Sequence, residues 1–213
     1  NGSTDGKRRH QHYRISAELG GKNRMNTTQN TEKIRRTFSV LVENRPGVLS
    51  IISRLFSRNG FNIDSFCSGP TTDPNLTRIT IEVYADDNHA NLLLAQLNKM
   101  VPVYSAKMME PAKTIRREFV LFKCEAKEYE TRNEIIQIGN IFRATVIDVS
   151  SDTLTLAMIG EENKINALQE LLEPFNILEL ARTGNLAMER GKYTIDEKTK
   201  ENIEFSYGKN VTE

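Results

Sequence analysis

An α+β protein of two tandem ferredoxin-like βαββαβ domains is the fold this 213-residue chain predicts. Three observations carry it. Phe38, Val40 and Val42 alternate with Ser39, Leu41 and Glu43 as in a largely buried strand, and Val48, Ile51, Ile52, Leu55 and Phe56 then fall on one helical face. The same strand and helix pattern returns about eighty residues later, with Phe38 matching Phe119.

Taken in order, the first unit is expected as strand 37–43, helix 47–59, strand 61–69, strand 76–84, helix 87–100 and strand 102–109. Pro46-Gly47 brings the backbone into the first helix without a side chain at Gly47, leaving N–H groups at a positively polarised terminus where a carboxylate can sit. The second unit is expected as strand 117–124, helix 132–142, strand 143–150, strand 153–159, helix 161–174 and strand 176–183. Thr131 and Glu134 have capping-box spacing, so its first helix should start near Thr131, with Ile135, Ile138 and Phe142 on the buried face. In its second helix Ile165, Leu168, Leu171, Leu172 and Phe175 keep helical spacing, and Pro174 marks the end. Ser151-Asp152 makes a short turn, whereas the corresponding connection in the first half, Gly69 to Asn75, is long and polar and reads as a recognition loop.

The domain plan is a basic, disordered tail over 1–35, a first domain over 36–110, a linker over 111–116 containing Pro111, a second domain over 117–191 and a polar C-terminal extension over 192–213. In the tail Lys7, Arg8, Arg9, Arg14, Lys22 and Arg24 outnumber Asp5 and Glu18. It reads as an unstructured segment ahead of Met25, or as the remnant of an organellar transit peptide; the former is preferred because no apolar helical face is present.

Composition excludes several classes. Lys+Arg 29 against Asp+Glu 28 gives no basic field for nucleic acid, and no apolar run approaches the ~20 residues needed to cross a bilayer. Cys67 and Cys124 lie far apart, without the paired spacing of a zinc or redox site, so a reducing, cytoplasmic setting is expected. Catalysis lacks its usual parts. His10 and His12 lie in the tail, His89 starts a helix, and Gly184 and Gly191 belong to no phosphate loop.

The run Val42-Glu43-Asn44-Arg45-Pro46-Gly47-Val48-Leu49-Ser50, followed by Leu55-Phe56-Ser57-Arg58-Asn59-Gly60-Phe61-Asn62-Ile63-Asp64-Ser65, resembles the regulatory small subunit of acetolactate synthase, whose N-terminal unit is an ACT domain. Gly69-Pro70-Thr71-Thr72-Asp73-Pro74, Leu76-Thr77-Arg78-Ile79-Thr80-Ile81, Ile141-Phe142-Arg143-Ala144 and Ala181-Arg182-Thr183-Gly184 continue the likeness across roughly residues 36 to 191, in the family's order.

The resemblance implies a non-catalytic regulatory subunit that activates a large catalytic subunit and confers feedback inhibition by valine in branched-chain amino-acid synthesis. Thiamine diphosphate, Mg and FAD would belong to that large subunit, and this chain would carry no cofactor and no metal. It also implies a homodimer, with valine held between two ACT domains by Asn44, Gly47 and Asn62, using the N–H groups of Gly47 and Val48 for the carboxylate and Val48 and Ile63 as apolar walls. Arg45 departs from the family's usual polar or acidic residue and reads as solvated. The second half, with Arg143 and Arg182, resembles the family's ACT-like C-terminal domain, expected to serve assembly, activation or nucleotide sensing. The alternative function class is a freestanding amino-acid sensor; the chain has no helix-turn-helix pattern to accompany one. If the tail is a transit remnant, the compartment becomes a mitochondrion or plastid.

Overall fold

The structure, a computed structural model, describes residues 32–195. Residues 1–31 of the expected 1–35 tail and residues 196–213 of the expected 192–213 extension lie outside the described residues. The first strand begins at Ile34, inside the bounds expected for the tail, because Ile34 and Arg35 continue its pairing with Ala85 and Tyr84. Two antiparallel sheets, each backed by two helices, carry the two halves.

In the first, β1 (Ile34–Glu43), β2 (Ser65–Pro70), β3 (Leu76–Ala85) and β4 (Val103–Met108) lie in the order β2-β3-β1-β4, with α1 (Val48–Arg58) and α2 (Asp87–Asn98) on one face. In the second, β5 (Thr114–Glu125), β6 (Thr145–Val149), β7 (Thr153–Gly160) and β8 (Ile177–Arg182) repeat that order as β6-β7-β5-β8, with α3 (Tyr129–Phe142) and α4 (Glu162–Leu172). Both halves are therefore βαββαβ, as the periodicities predict.

Each core forms where strand and helix apolar faces meet. Phe38, Val40, Val42, Ile79 and Ile81 pack against Val48, Ile52, Phe56, Leu93 and Leu97. Val120, Phe122, Leu154 and Leu156 pack against Ile135, Ile165, Leu168 and Leu172. Burial of such side chains contributes roughly 1.5–3 kcal/mol each.

The internal match is shifted by one residue from the expected one. The β1–β4 register slips between Leu41 and Val42, and the β5–β8 register slips between Lys123 and Cys124. Superposing these bulges aligns Phe38 with Val120, not with Phe119. Phe38 is fully buried, whereas Phe119 is 39% exposed on the other face of its sheet. A one-residue slip in a period-two strand inverts every side chain, so the similarity of two phenylalanines misleads while the bulges do not.

Several boundaries move for identifiable reasons. The strand expected from 61 starts at Ser65, because α1 ends in a turn: Gly60 (φ +75°) donates its N–H to Ser57 O and Phe61 donates to Phe56 O at 3.0 Å each. Helix α3 starts at Tyr129 rather than near Thr131, and its first residue is preceded by Glu128 without a side-chain cap. Arg132 instead ties this end down, donating to Ala126 O and Ser151 O at 2.8 and 2.6 Å. Residues 111–116 are not an open linker: Pro111–Lys113 form one 3-10 turn, and β5 begins at Thr114.

One strand was not anticipated. β9 (Leu186–Glu189) pairs with Thr114–Arg117 of β5 and crosses the open face of the first sheet. That face is polar yet buried: Thr37, Ser39, Thr80, Glu82 and Ser105 are all 5% exposed or less. The C-terminal run supplies their cover, through Ala187 N to Thr80 Oγ1 (3.5 Å), Arg78 Nη2 to Ala187 O (2.9 Å) and Ser105 Oγ to Ile195 O (2.8 Å). The corresponding face of the second sheet is apolar and open, with Phe119 beside Ile159, itself 69% exposed.

Candidate functional site

The loop joining β1 to α1 is built by its own polar groups. Asn44 N donates to Asn75 O at 2.7 Å and its side-chain Nδ2 donates to Pro74 O at 2.9 Å, which fastens the loop to the long β2–β3 connection. Arg45 is exposed and ion-paired to Glu43. Gly47 then takes the left-handed conformation (φ +86°, ψ −14°) as the residue capping α1. No side chain caps the helix and its first turn contains no acidic residue, while Ile51 N to Gly47 O (3.1 Å) is the first helical bond. The N–H groups of the first turn are thus left at an exposed, positively polarised helix end.

Gly47 and Asn44 are exposed here, but Val48 points inward: its side chain is 2% exposed and belongs to the first core. Of Val48 only the backbone N–H is offered to the surface. Asn62 is exposed, and Ile63 is half-buried against the same core.

One copy of the chain does not bring these residues together. Asp64 N bonds Glu82 O, Ser65 pairs with Glu82, and Glu82 pairs with Thr37, so the approach to β2 lies at the start of β1. The Gly47 loop lies at the opposite end, where Glu43 pairs with Leu76. Helix α1 runs between them, about 16 Å long at ~1.5 Å per residue.

The long connection is a self-bonded turn. Thr71 Oγ1 donates to Asp73 O (2.9 Å), and Asp73 Oδ1 accepts from Asn75 N (2.9 Å). It rims a cavity of about 550 Å³ between the first sheet and the C-terminal run, lined by Leu41, Pro70, Leu76, Met109, Met188 and Ile195, with Arg78 and the Lys107–Glu189 ion pair at its polar side. Sequence reasoning missed this cavity, because its walls come from residues more than a hundred positions apart.

A second, polar cleft of about 460 Å³ separates the approach to β2 from α4 and the end of β8, and includes Arg35, Asp64, Ser65, Glu162, Arg182 and Asn185. Arg182 donates through Nε and Nη2 to the two oxygens of nearly buried Glu118 (3.0 and 2.6 Å) and through Nη1 to Asn166 (3.0 Å). Arg143 has a backbone role: it closes α3 in the left-handed region (φ 60°), with its N–H on Asn140 O. His89 serves α2, where its N–H and Nδ1 both reach Asp86 (3.0 and 2.7 Å). Among the described residues, no group of three or more His, Cys, Asp and Glu side chains is arranged to hold a metal, and no helix is long and apolar enough to cross a membrane.

Against known proteins, residues 38–105 match the family model of the AHAS small subunit-like ACT domain, and residues 117–191 match that of the small subunit of acetolactate synthase. A protein of Methanothermobacter thermautotrophicus named "Probable acetolactate synthase small subunit" is 45% identical, over 74% of this chain and 94% of its own length. The chain belongs to the acetolactate synthase small-subunit family. The acetolactate synthase small subunit of Mycolicibacterium smegmatis is 42% identical over 73% of this chain and 91% of its own. The crystal structure of the small subunit from Thermotoga maritima aligns with a TM-score of 0.70 and 34% identity, covering 75% of this chain and 99% of that one. Both halves of this small-subunit chain are matched, each by its own family model.

Proposed function

We propose that this chain is the regulatory, non-catalytic subunit of an acetolactate synthase. It binds the thiamine-diphosphate-dependent catalytic subunit, raises its activity and transmits inhibition by valine. Family membership across both halves carries this reading. The left-handed Gly47 at an uncapped helix end, a natural seat for a carboxylate, supports the effector part.

The effector site in this reading is shared by two copies. Asn44 and Gly47 stand at one end of α1 and Asn62 and Ile63 at the other, so two α1 helices related by a two-fold axis and running antiparallel set the loop of one copy against Asn62 of the second. Valine then binds with its carboxylate at the N–H groups of one helix and its amino group near the Asn62 amide of the other. Such linkage between an effector site and a distant active centre is typically worth ~1–3 kcal/mol.

Titrating the chain into the large subunit tests the proposal, with acetolactate formation followed at rising valine. The rate should climb to a plateau, fall with valine, and do neither without this chain. An unchanged rate with no complex in ultracentrifugation sinks the reading.

A further inference from the structure

The polar cleft between the halves centres on one guanidinium. Arg35, near the start of β1, sets Nη2 at 2.7 Å from Asp64 and 3.0 Å from Glu82, and its Nη1 pairs with Glu162, the first residue of α4 in the other half. Glu82 is fully buried and also accepts from Thr37 Oγ1 (2.9 Å) and Asn185 Nδ2 (3.1 Å). Asn185, 3% exposed, reaches Glu162 as well at 3.4 Å, and its Oδ1 has no hydrogen-bond partner among the described residues. Beside it Gly184 (φ +75°) approaches Ser65 so closely that a Cβ would stand 2.3 Å from Ser65 Oγ.

Three carboxylates thus contact Arg35, and they are not equivalent: Glu162 also lies in the field of Arg182. Glu82 must stay paired because a buried carboxylate cannot be left bare. Asp64 and Glu162 are the more exposed pair, at 37% and 31% of their side-chain surface; Asp64 shares Nη2 with Glu82, and Glu162 takes Nη1, so one guanidinium holds both at once. Asp64 and Ser65 directly follow Asn62 and Ile63, while Glu162, Gly184 and Asn185 belong to the other half.

We propose that Arg35 and Glu162 form the junction through which occupancy at Asn62 and Ile63 reaches the second domain. The inference rests on the effector reading above. A ligand that fixes the segment from Asn62 to Ser65 sets the distance of Asp64 from Arg35; because the same guanidinium holds Glu162 through Nη1, its displacement loosens or tightens the contact of α4 and Asn185 with the first sheet.

Hydrogen exchange on the full chain, with free valine as the probe, tests it without the catalytic subunit. In the wild type, valine should change exchange at least threefold both at residues 61–66 and at residues 182–189. Glu162→Gln removes the ionic Arg35–Glu162 contact but leaves Arg35 with Asp64 and Glu82 and leaves the Asn185–Glu82 bond in place. It should bind valine within about twofold of wild type by calorimetry and keep the response at 61–66, while losing that at 182–189. Should Glu162→Gln fail to fold, Arg35→Lys, which keeps the charge without the fork, should show the same split. A full response at 182–189 in a folded variant overturns the junction and leaves the effector reading standing. No valine binding by wild type overturns the effector reading, and the junction with it.

Discussion

At the scale of the residue, Gly47 is the position where backbone and ligand requirements coincide. Its φ of +86° disfavours any residue with a Cβ, although the space around it is empty to 4 Å. Gly47→Ala should therefore lower the free energy of unfolding by about 1–2 kcal/mol through backbone strain alone, measurable by urea titration. Gly47→Asp adds a carboxylate where the carboxylate of valine is proposed to bind; at an effective dielectric near 20 the repulsion is on the order of a few kcal/mol, so calorimetry should show valine affinity collapse while the fold persists. Wild-type affinity in that variant would falsify the site. Cysteine chemistry offers an independent check of burial. Cys124 is fully buried, which pushes its thiol up to about 11, and Cys67 on β2 is half-exposed with a milder upward push from burial. A thiol reagent at pH 8 should label Cys67 in the native protein and Cys124 only after unfolding; equal rates would contradict the second core.

Single elements are decided by their ends. Helix α2 is capped by Asp86, whose carboxyl is held below the usual aspartate range by the His89 backbone N–H and then by the His89 ring. With the folded value depressed, the cap contributes fully above the ordinary aspartate value, near 4, and fades as pH falls through the lower folded one. The His89 amide resonance should follow that titration, and Asp86→Ala should abolish it and fray α2. Strand β9 depends on the turn at Gly184, where the positive φ and the approach to Ser65 oppose any side chain. Gly184→Ala should destabilise by about 1–2 kcal/mol in thermal unfolding, since Ser65 can rotate away but the backbone strain stays. A change within a few tenths of a kcal/mol would show that the turn is free to relax.

For the molecule as a whole, the two repeats are not independent beads. The C-terminal run folds back over the polar face of the first sheet and seals Glu82, Thr80 and Ser105 from water. A chain ending at Lys113 retains β1 to β4 and the Gly47 loop but loses the Asn185 bond to Glu82 and the cover of Ala187. It should unfold at lower urea than the full chain, by at least about 2 kcal/mol, the scale of a hydrogen bond to a charged group. Equal stability would mean that the fold-back contributes nothing.

Periodicity determined the architecture: alternation at Phe38, Val40 and Val42 and the helical spacing of Ile165, Leu168 and Leu172 are local signals, set by which side chains can share one apolar face. Both βαββαβ orders, and Gly47 as a helix-start glycine, were legible for that reason. Long-range pairing was not. The alignment of Phe38 with Val120 is visible only in the strand registers, and β9 is four residues whose partner strand begins 72 positions earlier, too short to announce itself. The separation of Asn44 and Gly47 from Asn62 by the length of α1, and the convergence of Arg35, Glu82, Glu162 and Asn185 on one cleft, likewise depend on how sheets and helices stack. A burial pattern tells a residue which face it occupies; only the tertiary fold decides which distant residue occupies the other side.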